Sequence, residues 1–86
     1  MNIEELVGKY VSNAQQVFKQ IEQRSPCEEE AEKVLDYAKR YLEDALYYSS
    51  QKRFETALAS VAYCEGLLDA LRLLEIVGFQ WPTQSK

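Results

Sequence analysis

Histidine is absent from this 86-residue chain. That removes the usual general base near neutral pH, the commonest metal ligand and every nucleophile that relies on an imidazole partner. Cysteine occurs twice, at Cys27 and Cys64, without metal-binding spacing. The three glycines, Gly8, Gly66 and Gly78, stand alone, so no loop can cradle a phosphate with successive backbone N–H groups. Ten basic residues against fourteen acidic ones leave a net charge of −4, with no basic block. Nucleic-acid binding needs clustered Lys and Arg, so no nucleic-acid partner is expected, and attachment to a membrane surface is disfavoured for the same reason. The best apolar stretch is interrupted by Asp69, Arg72 and Glu75, too often for a bilayer span. The acidic start, Met1 to Leu6, has no apolar signal core. These absences lead to the expectation of a cytoplasmic, non-enzymatic protein with no metal and no cofactor.

What the chain does have is one stretch, residues 54–77, that is apolar almost all the way round. With residues at about 100° intervals, Ala57, Val61, Cys64, Leu68 and Leu71 share one side of a helix. Ala59, Ala62, Gly66, Ala70 and Val77 lie roughly opposite. Thr56, Ser60, Tyr63, Leu67 and Leu74 fill one flank. Only the remaining flank is polar, with Glu65, Asp69 and Arg72 beside Leu58 and Ile76. A helix with so little polar surface is normally enclosed by neighbours. A glycine inside a helix costs about 1 kcal/mol relative to alanine. Gly66 therefore implies a close approach on the small-residue side.

The segments before it supply covering helices. Residues 3–24 repeat Ile3, Leu6/Val7, Tyr10, Ala14, Val17 and Ile21 at three- and four-residue spacing, with Phe18 widening the stripe. This makes an arm of an intramolecular bundle, because three heptads are only the minimum for a coiled-coil strand. Ser25, Pro26 and Glu28 then form a capping-box pattern with proline at the first helical position. Glu28, Glu29 and Glu30 suit the positive end of a helix dipole better than a metal site, since consecutive glutamates point apart. The second helix runs over 26–50, with Ala31, Val34/Leu35, Ala38, Leu42, Ala45 and Ser49 towards the core. Tyr37, Tyr41, Asp44 and Tyr48 line one shoulder, as boundary packing or as a partner surface, and Tyr47 is expected to be exposed.

Residues 49–53 make a turn without Gly or Pro, short enough to force the second helix antiparallel to a third over 53–77. In such a hairpin Cys27 and Cys64 differ in height by roughly 15–20 Å at 1.5 Å per residue, far beyond disulfide reach. Gly78 is expected as a left-handed C-terminal cap. Phe79 and Trp81 follow, in a tail over 78–86. Two placements stay open for these aromatics: over the open end of the bundle, or inserted into a second subunit. The expectation is one helical domain, 1–86: an all-α, three-helix antiparallel (up-down-up) bundle.

One polar constellation stands out: Glu65, Asp69 and Arg72, with Asp44 and Tyr41 from the second helix. Two carboxylates a turn apart can serve as acid and base if one is desolvated. The structural alternative pairs Asp69 with Arg72 and bonds Glu65 to a tyrosine hydroxyl. The candidate interface is Leu67, Leu73, Leu74, Phe79 and Trp81. A small core stabilises only marginally, which favours association with another copy or a protein partner.

Residues 41–81 resemble a known family. Tyr41 to Ala45, Phe54, Ala57 to Ala59, Ala62-Tyr63, Glu65-Gly66, Leu68 to Ala70 and Gly78-Phe79 look like the short archaeal family catalogued as domain of unknown function 357. The resemblance implies a small helical bundle without an established activity. Related domains appended to nucleotidyltransferase-like proteins imply an accessory or interaction role. Lys52-Arg53 stands where the family pattern has a glycine-containing turn. A second resemblance is to the helical nucleotide-binding HEPN family, and without histidine only its non-nuclease version is compatible. The leading expectation is an interaction or accessory module that self-associates as a homodimer, and the alternative is a bundle that binds a small, nucleotide-like ligand.

Overall fold

A computed structural model of the chain describes residues 1–22 and 28–82. Three helices follow in order, α1 (Ile3–Glu22), α2 (Glu29–Ser50) and α3 (Phe54–Leu73). They pack as an up-down-up bundle, with no strand among the described residues. The thinnest dimension is 19 Å, about two helix diameters. α3 is the common partner: it packs most extensively against α2, then against α1, while α1 and α2 touch each other least.

Local chemistry explains where each helix begins. Asn2 caps α1: the Glu5 N–H donates to Asn2 Oδ1 at 2.8 Å, and the Asn2 N–H donates back to Glu5 Oε1 at 3.2 Å. This is a reciprocal capping box. α2 starts later than the sequence suggests. Glu28 is in extended conformation, at φ −61° and ψ 157°, and stands before the helix without a side-chain cap bond. The expected partner Ser25 lies outside the described residues, as do Pro26 and Cys27. Glu29, Glu30 and Glu32 occupy the first turn, where the dipole favours them.

Both helix ends that matter are turned by residues other than glycine. Lys52 takes φ 61° after α2 and Glu75 takes φ 61° after α3. After α2 the Arg53 N–H donates to Tyr48 O at 2.9 Å, and the Lys52 N–H to Ser49 O at 3.0 Å. After α3 the Ile76 N–H donates to Leu71 O and the Glu75 N–H to Arg72 O, both at 3.0 Å. Each pair is a Schellman motif, which satisfies carbonyls that the helix leaves open. α3 therefore stops at Leu73 rather than near residue 77. Gly78 is not its left-handed cap, since no described glycine has positive φ. The earlier stop reverses the chain so that the tail returns over the bundle. Phe79 is buried, and its ring meets Trp81 edge-on at 5.2 Å. The Gln20 side-chain amide holds the tail to α1, donating to Gln80 O at 2.8 Å and accepting from the Gln80 N–H at 3.0 Å.

The core joins Val7, Val11, Ala14 and Val17 of α1, Ala38, Leu42 and Ala45 of α2, and Ala57, Val61, Cys64 and Leu68 of α3, closed by Phe79. One expectation needs correcting. α3 is buried along the Val61–Cys64–Leu68 side, but Ala59, Ala62, Gly66 and Ala70 on the opposite side are exposed. A side chain at Gly66 would meet nothing within 4 Å. Among the described residues neither α1 nor α2 packs directly onto that side, because both bury the opposite side of α3.

Candidate functional site

The polar residues of α3 line a cleft of about 470 Å³ between α1, α3 and the returning tail. Lys9, Tyr10 and Asn13 come from α1, Glu65 and Asp69 from α3, and Trp81 from the tail. Asp69 is the hub. Its Oδ1 accepts from Arg72 Nε at 3.2 Å and Nη2 at 3.1 Å, and from Trp81 Nε1 at 2.8 Å. The expected Asp69–Arg72 pair is thus present, one turn apart on the helix. Its second role, as the anchor of the tail indole, follows from the chain reversal at Glu75.

Glu65 is half-buried and makes no hydrogen bond or ion pair among the described residues, so the bond to a tyrosine hydroxyl does not form. Burial, and then the neighbouring Asp69 carboxylate, push its pKa above the usual value. Tyr41 and Asp44 do not join this cleft. Asp44 is exposed on α2, and Tyr41 stacks on Tyr63 with ring centroids 5.3 Å apart and planes inclined by 23°. The five-residue constellation therefore separates into a cleft on the α1 side of α3 and an aromatic contact on the α2 side. Sequence reasoning overlooked Lys9 and Asn13. Their signal was their position on the shoulder of α1, one turn apart and flanking Tyr10.

Chemically the cleft offers one free carboxylate, one satisfied carboxylate, a lysine and two aromatic rings. No group of three Cys, Asp or Glu among the described residues comes together to hold a metal ion. The α3 thiol is no nucleophile either, since Cys64 is free and buried, and burial pushes its pKa up to about 12. A thiolate is required for reaction or metal ligation.

The candidate interface residues divide in the same way. Leu73 and Leu74 are 70% and 69% exposed, and Tyr63, nearly three turns earlier on α3, is 65% exposed. Leu67 is half-buried, and with Ala59, Ala62, Tyr63 and Gly66 it lines a shallow apolar groove along the outer side of α3. Phe79 and Trp81, by contrast, pack against their own bundle. No described helix is long and apolar enough to cross a membrane.

No curated protein matches the chain. The model of a family of proteins of unknown function, DUF357, matches residues 9–77. That match runs from the first turns of α1 through α3 to the turn beyond it, and so covers every helix on which the bundle is built: the chain belongs to the DUF357 family.

Proposed function

We propose that this protein is a small helical interaction module that self-associates through α3. A single observation carries the reading: the outer side of α3 is lined by Ala59, Ala62, Gly66, Ala70 and Leu73, where a surface helix ordinarily carries charge. Contiguous apolar surface of this kind on a small protein marks an association site. The buried, protonated Cys64 thiol suits the reducing interior of a cell, where such a module would work. Sedimentation equilibrium from 1 to 500 µM tests the proposal on the order-of-magnitude scale of modest interfaces (about micromolar). A mass that rises towards the dimer supports it, and a monomer mass throughout refutes it.

The unpaired Glu65 carboxylate supports a second reading, a ligand cleft between α1 and α3. Its chemistry argues against nucleotides, because the unpaired Glu65 carboxylate repels phosphate, Arg72 is already taken up by Asp69, and Lys9 is the one cation among the residues lining the cleft. A thermal-shift screen with nucleotides, metals and organic amines decides this reading. A flat result across the panel removes it.

A further inference from the structure

The polar groups lining the cleft between α1, α3 and the tail are sorted by wall. The α1 wall carries the Lys9 ammonium and the Asn13 amide, one helical turn apart, and both can donate hydrogen bonds. The α3 wall carries the carboxylates of Glu65 and Asp69, also one turn apart, which only accept. Tyr10 from α1 and Trp81 from the tail add aromatic surface to the same cleft.

All four polar groups have capacity left over. Lys9, Asn13 and Glu65 make no hydrogen bond or ion pair among the described residues. The three bonds that Asp69 accepts, from Arg72 and Trp81, all end on Oδ1. Its Oδ2 accepts none among the described residues. The unlike charges of Lys9 and Glu65 therefore do not satisfy one another across the cleft. Burial holds the Glu65 pKa above its ordinary value, as befits a carboxylate without a cationic partner.

Charge balance then selects the ligand. With Asp69 neutralised by Arg72, the cleft keeps one negative and one positive charge, on different helices. A bare anion reaches Lys9 but meets the Glu65 carboxylate, and a bare ammonium reaches Glu65 but meets Lys9. An uncharged ligand buries Glu65 further without pairing it, which is costly. A ligand that carries both charges answers both walls. Its ammonium has three donors, which the Glu65 oxygens and Asp69 Oδ2 can accept. The cleft volume of about 470 Å³ falls within the roughly 300–1,000 Å³ of small-molecule sites.

We infer that this cleft binds the zwitterion of a free α-amino acid with an apolar side chain. The ammonium lies at Glu65 and Asp69, the carboxylate at Lys9 and Asn13, and the side chain against Tyr10 and Trp81. This rests on the second reading above, a ligand cleft between α1 and α3, and names its ligand.

Trp81 is the chain's one tryptophan and lines the cleft, so its fluorescence reports occupancy. The probe is L-leucine, compared with 3-methylbutylamine and 4-methylpentanoate, which are leucine without its carboxylate and without its ammonium. L-leucine is expected to change the emission saturably, with a dissociation constant of about millimolar order for so small a ligand. Each truncated analogue is expected to bind about tenfold more weakly, the worth of one charge-assisted hydrogen bond. Lys9→Gln and Glu65→Gln are expected to weaken leucine binding by a similar factor while helical circular dichroism stays unchanged. If either analogue binds as tightly as leucine, one wall is idle: the inference is overturned and the ligand-cleft reading stands. Leucine binding that Lys9→Gln leaves unchanged overturns it in the same way. No response to leucine, with a thermal shift from another ligand of the panel above, also overturns the inference alone. No response to leucine and a flat panel remove both the inference and the reading beneath it.

Discussion

At the scale of single residues, several positions hold conformations or charges that are not optimal for the isolated fold. Gly8 lies within α1, exposed, and a Cβ there would meet nothing within 4 Å. Gly8→Ala should raise stability by about 0.5–1 kcal/mol through the unfolded chain's lost freedom and better helix propensity. Urea unfolding monitored by circular dichroism measures it. Lys52 pays a left-handed backbone that glycine adopts without strain. Lys52→Gly should therefore shift the urea midpoint upward, by about 0.5–1 kcal/mol in free energy, despite glycine's larger unfolded-state entropy. Glu65 illustrates a charge held against its environment. Its pKa is raised above the ordinary 4.5, so the folded state favours the protonated form. Its contribution to stability is complete below about pH 4.5 and is lost as pH rises through the raised folded value. Glu65→Gln should accordingly stabilise the protein at pH 7, with the gain vanishing below pH 4.5. Equal effects at both pH values would contradict the burial argument. Cys64 follows the same sign at higher pH. Its stabilising effect fades between pH 9 and about 12. In the Cys27→Ser protein, Ellman's reagent at pH 8 should leave Cys64 unmodified until denaturant is added.

At the scale of elements, the helices depend on two kinds of support. Propensity and capping set the termini of α1, where Asn2 and Glu5 bond reciprocally. Burial holds α3, whose Val61, Cys64 and Leu68 have no exposed surface. Leu68→Ala should cost about 2–5 kcal/mol, since the cavity forms between three helices and cannot collapse easily. The tail behaves as a fourth element. Phe79 is 7% exposed and sits in the core cluster, and Trp81 bonds Asp69 at 2.8 Å. Phe79→Ala should cost about 3 kcal/mol in urea unfolding. A loss below about 0.5 kcal/mol, the range of ordinary surface substitutions, would mean that the tail does not pack in cis.

At the scale of the whole molecule, the bundle is thin, and α3 meets both other helices on one side. With only three helices, a two-layer slab cannot cover both sides of its middle member. The exposed small-residue line on α3 is the geometric consequence, and the self-association proposed above would conceal that apolar area from water. The same geometry accounts for the candidate site. Glu65 and Asp69 stay beside α1 and the tail, whereas Tyr41 and Tyr63 stack on the α2 side. Helix periodicity assigns residues to the faces of one helix. It does not say which neighbour each face meets, so Tyr41 and Asp44 could be joined to Glu65 in sequence but not in space.

The sequence by itself determined the number and type of the elements, the α3 side that makes the core and the antiparallel turn near residue 51, because these follow from hydrophobic period and connection length. It also carried the Asp69–Arg72 pair, a contact within one helix turn. Tertiary structure alone decided that α3 stops at Leu73, that Glu75 rather than Gly78 turns the chain, and that Trp81 reaches Asp69. It decided as well that, among the described residues, nothing lies within 4 Å of a Cβ placed on Gly66. Those outcomes depend on how separate segments compete for the same surface of α3. A contest between distant segments leaves no periodic trace in any one of them.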